Sequence, residues 1–160
     1  MMIKTLQAVL LSSVAIAEHK MEQDTCKALV MSGGGSNGAW MAGVVYGFVN
    51  YGDPLDFEYD VVAGVSIGSI NASGLAMFEV GDEASAADYI YRTWEKIRTE
   101  DIYTDWPTKI IGGLVSQSMY DTRPAFDTME RLLSPFTEYK RAFSLSAVDI
   151  SSGEVHLMTD

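Results

Sequence analysis

Hydrophobic residues along this chain fall into two rhythms. Residues 26–32 (Cys-Lys-Ala-Leu-Val-Met-Ser) and 59–63 (Tyr-Asp-Val-Val-Ala) are short apolar runs followed by glycine, the pattern of strands buried on both faces of a parallel sheet. Between them Trp40, Val44, Val45, Phe48 and Val49 recur three and four apart, with Gly43 and Gly47 on the neighbouring stripe, which predicts a thin-faced helix over 36–51. Asn50-Tyr51-Gly52-Asp53-Pro54 stops that helix with turn chemistry. Strand, helix and strand within about forty residues make a βαβ unit, whose strands are parallel and whose crossover is right-handed. The fold class is therefore α/β.

Helical spacing returns over 67–78 and again over 83–97, where Ala86, Ala87, Ile90, Trp94 and Ile97 share a stripe, with Gly81-Asp82 as the break. Residues 98–121 read as irregular, interrupted by Pro107 and Gly112-Gly113. A helix is predicted over 122–133, with Thr122 as N-cap and Pro124 in the first turn. Residues 142–150 and 155–159 read as strands joined through Ser151-Ser152-Gly153-Glu154, a hairpin with glycine in its loop. No repeat, linker or low-complexity tract divides the chain, so one domain is expected over 26–160.

Upstream, Lys4 precedes an apolar stretch from Leu6 to Ala17, followed at once by Glu18-His19-Lys20. The stretch is too short to span a bilayer comfortably, and Ala15-Ile16-Ala17 supplies the small residues that signal peptidase accepts. Residues 1–17 are read as a signal peptide cleaved after Ala17, which sends the mature chain to the secretory-pathway lumen or outside the cell. The competing reading is a buried N-terminal helix.

Composition narrows the chemistry. The 160 residues, 48% of them hydrophobic, suffice for one modest core. Twenty-two acidic against eleven basic residues give a net charge of −11, and loss of Lys4 with the leader would make it −11 − 1 = −12. Such a field repels phosphate backbones and anionic lipid surfaces, arguing against a nucleic-acid partner and leaving neutral membrane or micelle surfaces and dispersed esters. The one cysteine, Cys26, cannot form an intrachain disulfide, and its place at the head of an apolar run predicts burial. Two histidines, His19 and His156, offer no Cys/His cluster at zinc spacing, so no metal and no cofactor is expected.

Two glycine motifs carry the candidate chemistry. Gly33-Gly34-Gly35-Ser36-Asn37-Gly38 lies between the first strand and its helix, and Gly64-Val65-Ser66-Ile67-Gly68 between the second strand and the next helix. A serine at so sharp a strand-to-helix turn takes a strained backbone and needs tiny neighbours, which Gly64 and Gly68 are. Both loops leave the carboxyl edge of one parallel sheet, so Gly33, Gly34 and Gly35 can lie beside Ser66. Their amides, with that of Ile67, would hold a developing oxyanion, each donor contributing about 3 kcal/mol. Ser66 is thus the candidate nucleophile, and Gly33, Gly34, Gly35 and Ile67 are the candidate oxyanion donors. The first motif also fits a dinucleotide fingerprint, Gly33-x-Gly35-x-x-Gly38, but that fold wants an acidic residue at the end of the second strand, where Ala63-Gly64-Val65-Ser66 stands. Glycines kept only for tight turns are the remaining alternative.

On these residues the chain resembles the patatin-like phospholipase family. Residues 33–44 are similar to the family's oxyanion block and 62–72 to its nucleophile block, with softer similarity at 120–124 and 148–154. The resemblance implies a three-layer α/β fold with a parallel sheet and a serine lipid acyl hydrolase acting on lipid or acyl ester substrates through a Ser-Asp dyad. Two departures stand out. Asn37 occupies the position where the family usually has Lys or Arg. The family's catalytic aspartate lies in an Asp-Gly-Gly or Asp-Gly-Ala motif, and this sequence contains no Asp-Gly dipeptide. The chain is therefore read as the N-terminal, truncated part of a longer protein, the aspartate being expected beyond Asp160. The alternative is an inactive lipid-binding fragment or pseudoenzyme.

Asp149 and His156 are the stand-in bases to weigh, the first in an apolar alternation before a turn and the second on a terminal strand. Asn71-Ala72-Ser73 matches the glycosylation pattern, but Asn71 is expected to be buried beneath the site. Met31, Trp40 and Met41 flank the glycine loop and are candidates for lining an acyl groove.

Overall fold

A computed structural model describes residues 25–106 and 120–159. The expected leader, Pro107 and Gly112-Gly113 lie outside the described residues. Four strands, β1 (Ala28–Met31), β2 (Val61–Val65), β3 (Ala142–Val148) and β4 (Val155–Thr159), form one sheet in the order β1-β2-β3-β4. The first three are parallel and β4 returns antiparallel to β3, so the predicted βαβ unit and C-terminal hairpin are both present. Between strands run α1 (Gly38–Tyr51), α2 (Ile67–Ala76), α3 (Glu83–Lys96) and α4 (Arg123–Leu133).

The core forms where α2 lies on the sheet. Met31, Val62 and Leu145 from three neighbouring strands meet Ala72, Leu75 and Ala76 of α2, and Ala86, Ala87 and Ile90 of α3 close over them. Small residues bring the helices close: a Cβ on Gly74 would stand 2.7 Å from the Ile90 side chain. Alternation decides which strand residues join the core. Leu29 and Met31 turn inward, whereas Val30 between them is 72% exposed. The expectation that this strand is buried on both faces is therefore corrected, because among the described residues the helices cover its inward side alone.

The start of the first strand also shifts. Pairing begins at Ala28, since the Lys27 amide is drawn aside to the Asp60 carboxylate at 2.8 Å. Cys26 precedes the strand and is exposed rather than buried. β2 likewise runs two residues later than 59–63, because Tyr59 and Asp60 spend their polar groups on Glu83, Arg141 and Lys27. Thr122 is the N-cap residue of α4 as expected, but its side chain makes no capping bond. Asp121 accepts the Arg123 amide instead, at 3.1 Å, with Pro124 in the first turn as expected.

α1 departs most from its predicted face. Its buried residues are Gly38, Ala42 and Val45, whereas Trp40 is 71% and Phe48 48% exposed. The reason is close approach: the Gly38 carbonyl accepts Asn71 Nδ2 at 2.9 Å, and a Cβ on Gly38 would collide with the Trp94 ring and the Ile67 side chain. The bulky residues of α1 cannot occupy that contact.

A buried ion pair anchors the opposite end of the sheet. The Arg141 side chain is wholly buried just before β3 and meets Glu83 Oε1 at 2.5 Å. It also donates to the carbonyls of Phe78 (2.9 Å), Tyr59 (2.9 Å) and Glu79 (2.6 Å), while Glu83 accepts the amides of Gly81 and Tyr59. Such completeness is what permits a charge pair inside the protein. The starts of β2, β3 and α3 are thereby tied together, holding the strands whose far ends carry the candidate site.

Candidate active site

The register of β1 on β2 pairs Met31 with Gly64, so the loops that follow both strands leave from the same rim. Ser66 sits in the one-residue gap between β2 and α2 with φ 54° and ψ −126°, and it is the only non-glycine with positive φ among the described residues. An L-residue in that region is strained by about 1–3 kcal/mol and persists only where its surroundings impose it. Here they do. A Cβ on Gly64 would run into the Gly68 carbonyl, and one on Gly68 into the carbonyls of Met31 and Ser32. Ser69 adds a brace from its hydroxyl to the Gly64 carbonyl at 2.8 Å. Both motif glycines are therefore demanded by close backbone packing around Ser66.

Gly33 comes directly to the serine. Its missing side chain leaves open a position 3.3 Å from Ser66 Cβ and 3.9 Å from Ser66 Oγ. Gly35 follows with φ +56°, a left-handed turn suited to glycine, and Gly35–Asn37 form one turn of 3₁₀ helix leading into α1. The Asn37 amide closes this turn onto the Gly34 carbonyl at 3.1 Å. Among the described residues the amides of Gly34, Gly35 and Ile67 donate to no other backbone carbonyl outside the regular elements. Ile67 opens α2, where first-turn amides have no helical acceptor and the dipole adds positive potential. Gly38 does separate work, letting α1 pass close to Trp94 and Ile67. Asn37 packs against the loop, its Nδ2 lying 3.4 Å from the position a Gly34 Cβ would take.

Asn71 was legible as buried, and at 2% exposure it is, but its role is not evident from the glycosylation pattern. It holds α1 and α3 to α2, donating to the Gly38 carbonyl and accepting the Trp94 indole N–H at 2.8 Å. An amide in an otherwise apolar helical stretch was the available signal.

The strand register places the two stand-in bases along β3 and β4. Ser146 is level with Val65, so Asp149, just past the end of β3, lies two residues, about 7 Å, further along than the level of Ser66. Asp149 Oδ1 accepts the Ser151 amide at 2.7 Å, and this backbone bond holds the carboxyl below its ordinary range, making it a poorer base. His156 pairs with Ala147 on β4, two strands and about 10 Å across from β2. Met31, Trp40 and Met41 form no common groove wall: Met31 is 4% exposed in the core, Met41 packs against the core, and Trp40 faces outward. Instead, an apolar cavity of about 180 Å³ runs behind the elbow between α2, α3 and α4, and Ile67 is part of its wall. Among the described residues no group of three His, Cys, Asp or Glu could hold a metal.

A strained serine between strand and helix, with a glycine loop at its side on the rim of a parallel sheet, defines an α/β protein of nucleophile-elbow type. The patatin-like phospholipase family model matches residues 29–152, and the chain belongs to that family. Among curated proteins and solved structures nothing matches it.

Proposed function

We propose that this protein is a serine lipid acyl hydrolase that cleaves acyl esters of neutral or zwitterionic lipids. The observation carrying the reading is the approach of Gly33 to Ser66 at the carboxyl rim, where the position a Gly33 Cβ would take lies 3.9 Å from Ser66 Oγ. Ser66 Oγ attacks the ester carbonyl carbon and gives its proton to a carboxylate base. The amides of Gly33, Gly34, Gly35 and Ile67 receive the negative oxygen of the tetrahedral intermediate. Collapse expels the lipid alcohol, which takes the proton, and leaves the acyl group on Ser66. Water then attacks this ester, restoring the hydroxyl and releasing the fatty acid. The family resemblance makes the base an aspartate; the lowered carboxyl of Asp149, held by the Ser151 amide, argues against Asp149 in that role. We place the activity in the secretory pathway, on the character of residues 1–17, and at uncharged interfaces, on the net charge of −11.

An inert lipid-binding role is the second reading, favoured by the missing Asp-Gly dipeptide, the motif in which the family carries its catalytic aspartate. Fatty-acid release from zwitterionic phospholipid micelles and neutral glycerol esters by the full-length protein separates the two. The hydrolase reading expects release that Ser66→Ala abolishes. Micelle binding without release by either form would establish the inert reading instead.

A further inference from the structure

α1 carries no charge. From Ala28 to Gly52 the sequence contains no Asp, Glu, Lys or Arg, although the net charge of the chain is −11. Gly38, Ala42 and Val45 turn into the protein, and the opposite stripe of the helix is Trp40, Val44, Gly47 and Tyr51, spaced four, three and four residues apart. Among the described residues this stripe lies open. Trp40 is 71% and Tyr51 86% exposed, and a Cβ on Gly43 or Gly47 would meet nothing within 4 Å. Phe48 at its side stacks on Phe57 with ring centroids 5.1 Å apart, and Leu55, in the same 3₁₀ turn as Phe57, is exposed as well. The other surface helices present charge to water, as such helices normally do: α3 has the exposed pair Asp88 and Arg92, and α4 exposes Arg131.

We propose that the open stripe of α1 is the face by which the protein lies on a zwitterionic lipid surface, an inference that rests on the lipid hydrolase reading. Three observations select that occupant. Trp and Tyr join an apolar ring to a polar tip, the combination suited to the boundary between headgroups and acyl chains, and Trp40 and Tyr51 stand roughly 16 Å apart along the one stripe. Beyond Tyr51 come the exposed carboxylates of Asp53 and Asp56, while the Lys27 ammonium is taken up by the Leu55 carbonyl. That rim repels anionic lipid and attracts a choline ammonium, which aromatic faces also bind. The stripe is also continuous with the candidate site. α1 begins at Gly38, where a Cβ would collide with the side chain of Ile67, the residue after the nucleophile, and Trp40 follows within the same helical turn.

Cosedimentation of the full-length protein with phosphatidylcholine vesicles, with and without added phosphatidylglycerol, tests this beside hydrolysis of a dissolved short-chain ester. The parent should bind pure phosphatidylcholine more tightly than the anionic mixture. Gly47→Glu projects a carboxylate from the middle of the stripe into open space and replaces glycine with a better helix former. It should weaken vesicle binding at least about tenfold while leaving the urea midpoint and the rate on the dissolved ester unchanged. Trp40→Ala, which removes the largest exposed ring, should also weaken binding about tenfold or more. No vesicle binding, binding that both substitutions spare, or tighter binding to the anionic mixture would overturn the proposal. So would a lowered urea midpoint in Gly47→Glu, the mark of a stripe packed inside the whole protein, or a lipid-free dimer that Gly47→Glu splits, the mark of a second copy. Ester hydrolysis with vesicle binding indifferent to both substitutions removes the face and leaves the hydrolase. Vesicle binding that both substitutions weaken, with no ester cleaved, leaves the face and removes the hydrolase.

Discussion

Gly33→Ala separates chemistry from architecture at one atom. Gly33 does not have the positive φ that would bar a side chain, unlike Gly35, so alanine is conformationally allowed there. Its methyl would meet Ser66 Cβ at 3.3 Å, the Val65 carbonyl at 3.6 Å and Ser66 Oγ at 3.9 Å, so a shift of a few tenths of an ångström relieves the contact. Stability should fall by no more than about 1 kcal/mol, within the usual effect of a single substitution. Reactivity should fall much further. On the proposed mechanism the methyl would crowd the place where the intermediate's oxygen meets the amides, a disturbance expected to cost as much as losing one oxyanion donor, about 2.7–4 kcal/mol or roughly 10²–10³ in rate. The assay is the rate of fluorophosphonate labelling of the full-length protein, set beside its urea midpoint. Labelling within threefold of the parent rate, with the fold intact, would refute the placement of an oxyanion at this point.

Arg141→Met should destabilise the fold by about 3–5 kcal/mol, since it strands buried Glu83 without its partner; a urea-melt loss below about 1 kcal/mol would show that the network contributes little. Asn71→Ala unpairs the Gly38 carbonyl and the Trp94 indole, with an expected cost of about 1–3 kcal/mol for each group left unsatisfied and a change in Trp94 fluorescence. Hydrogen bonds from the Arg123 guanidinium, then from its amide, hold the Asp121 carboxyl below its ordinary value. A depressed carboxyl lends stability above its unfolded pKa of about 3.9 that is lost as pH falls through the folded value. Asp121→Asn should therefore lower stability near neutral pH and flatten the decline below about pH 4, and unchanged acid melts would contradict this.

What could be read from the chain and what could not divide along physical lines. The βαβ unit and the elbow were legible because their requirements are local: Gly64 and Gly68 have no room for a Cβ, and Ser66 stands where strand must become helix within one residue. The hairpin was legible from Gly153, whose φ of +73° suits a glycine. The face of α1 was not. Its apolar residues run almost all the way round, and the choice between Trp40 and Ala42 depended on Trp94 and Asn71 arriving from other helices. Arg141 and Glu83 lie 58 residues apart and meet only once β2, β3 and α3 are assembled. The cavity belongs to three helices at once, so no single stretch of sequence announces it. Cys26 was misplaced because an apolar run says little about where strand pairing begins.

Ser66 becomes covalently acylated if the account holds. Rapid acid quenching of the full-length protein during turnover of an octanoyl ester, followed by peptide mass spectrometry, reads that bond directly. The predicted result is an octanoyl mass on the peptide containing Ser66, absent after Ser66→Ala. Ester turnover with no acylated peptide, or with the acyl group on another residue, would contradict it.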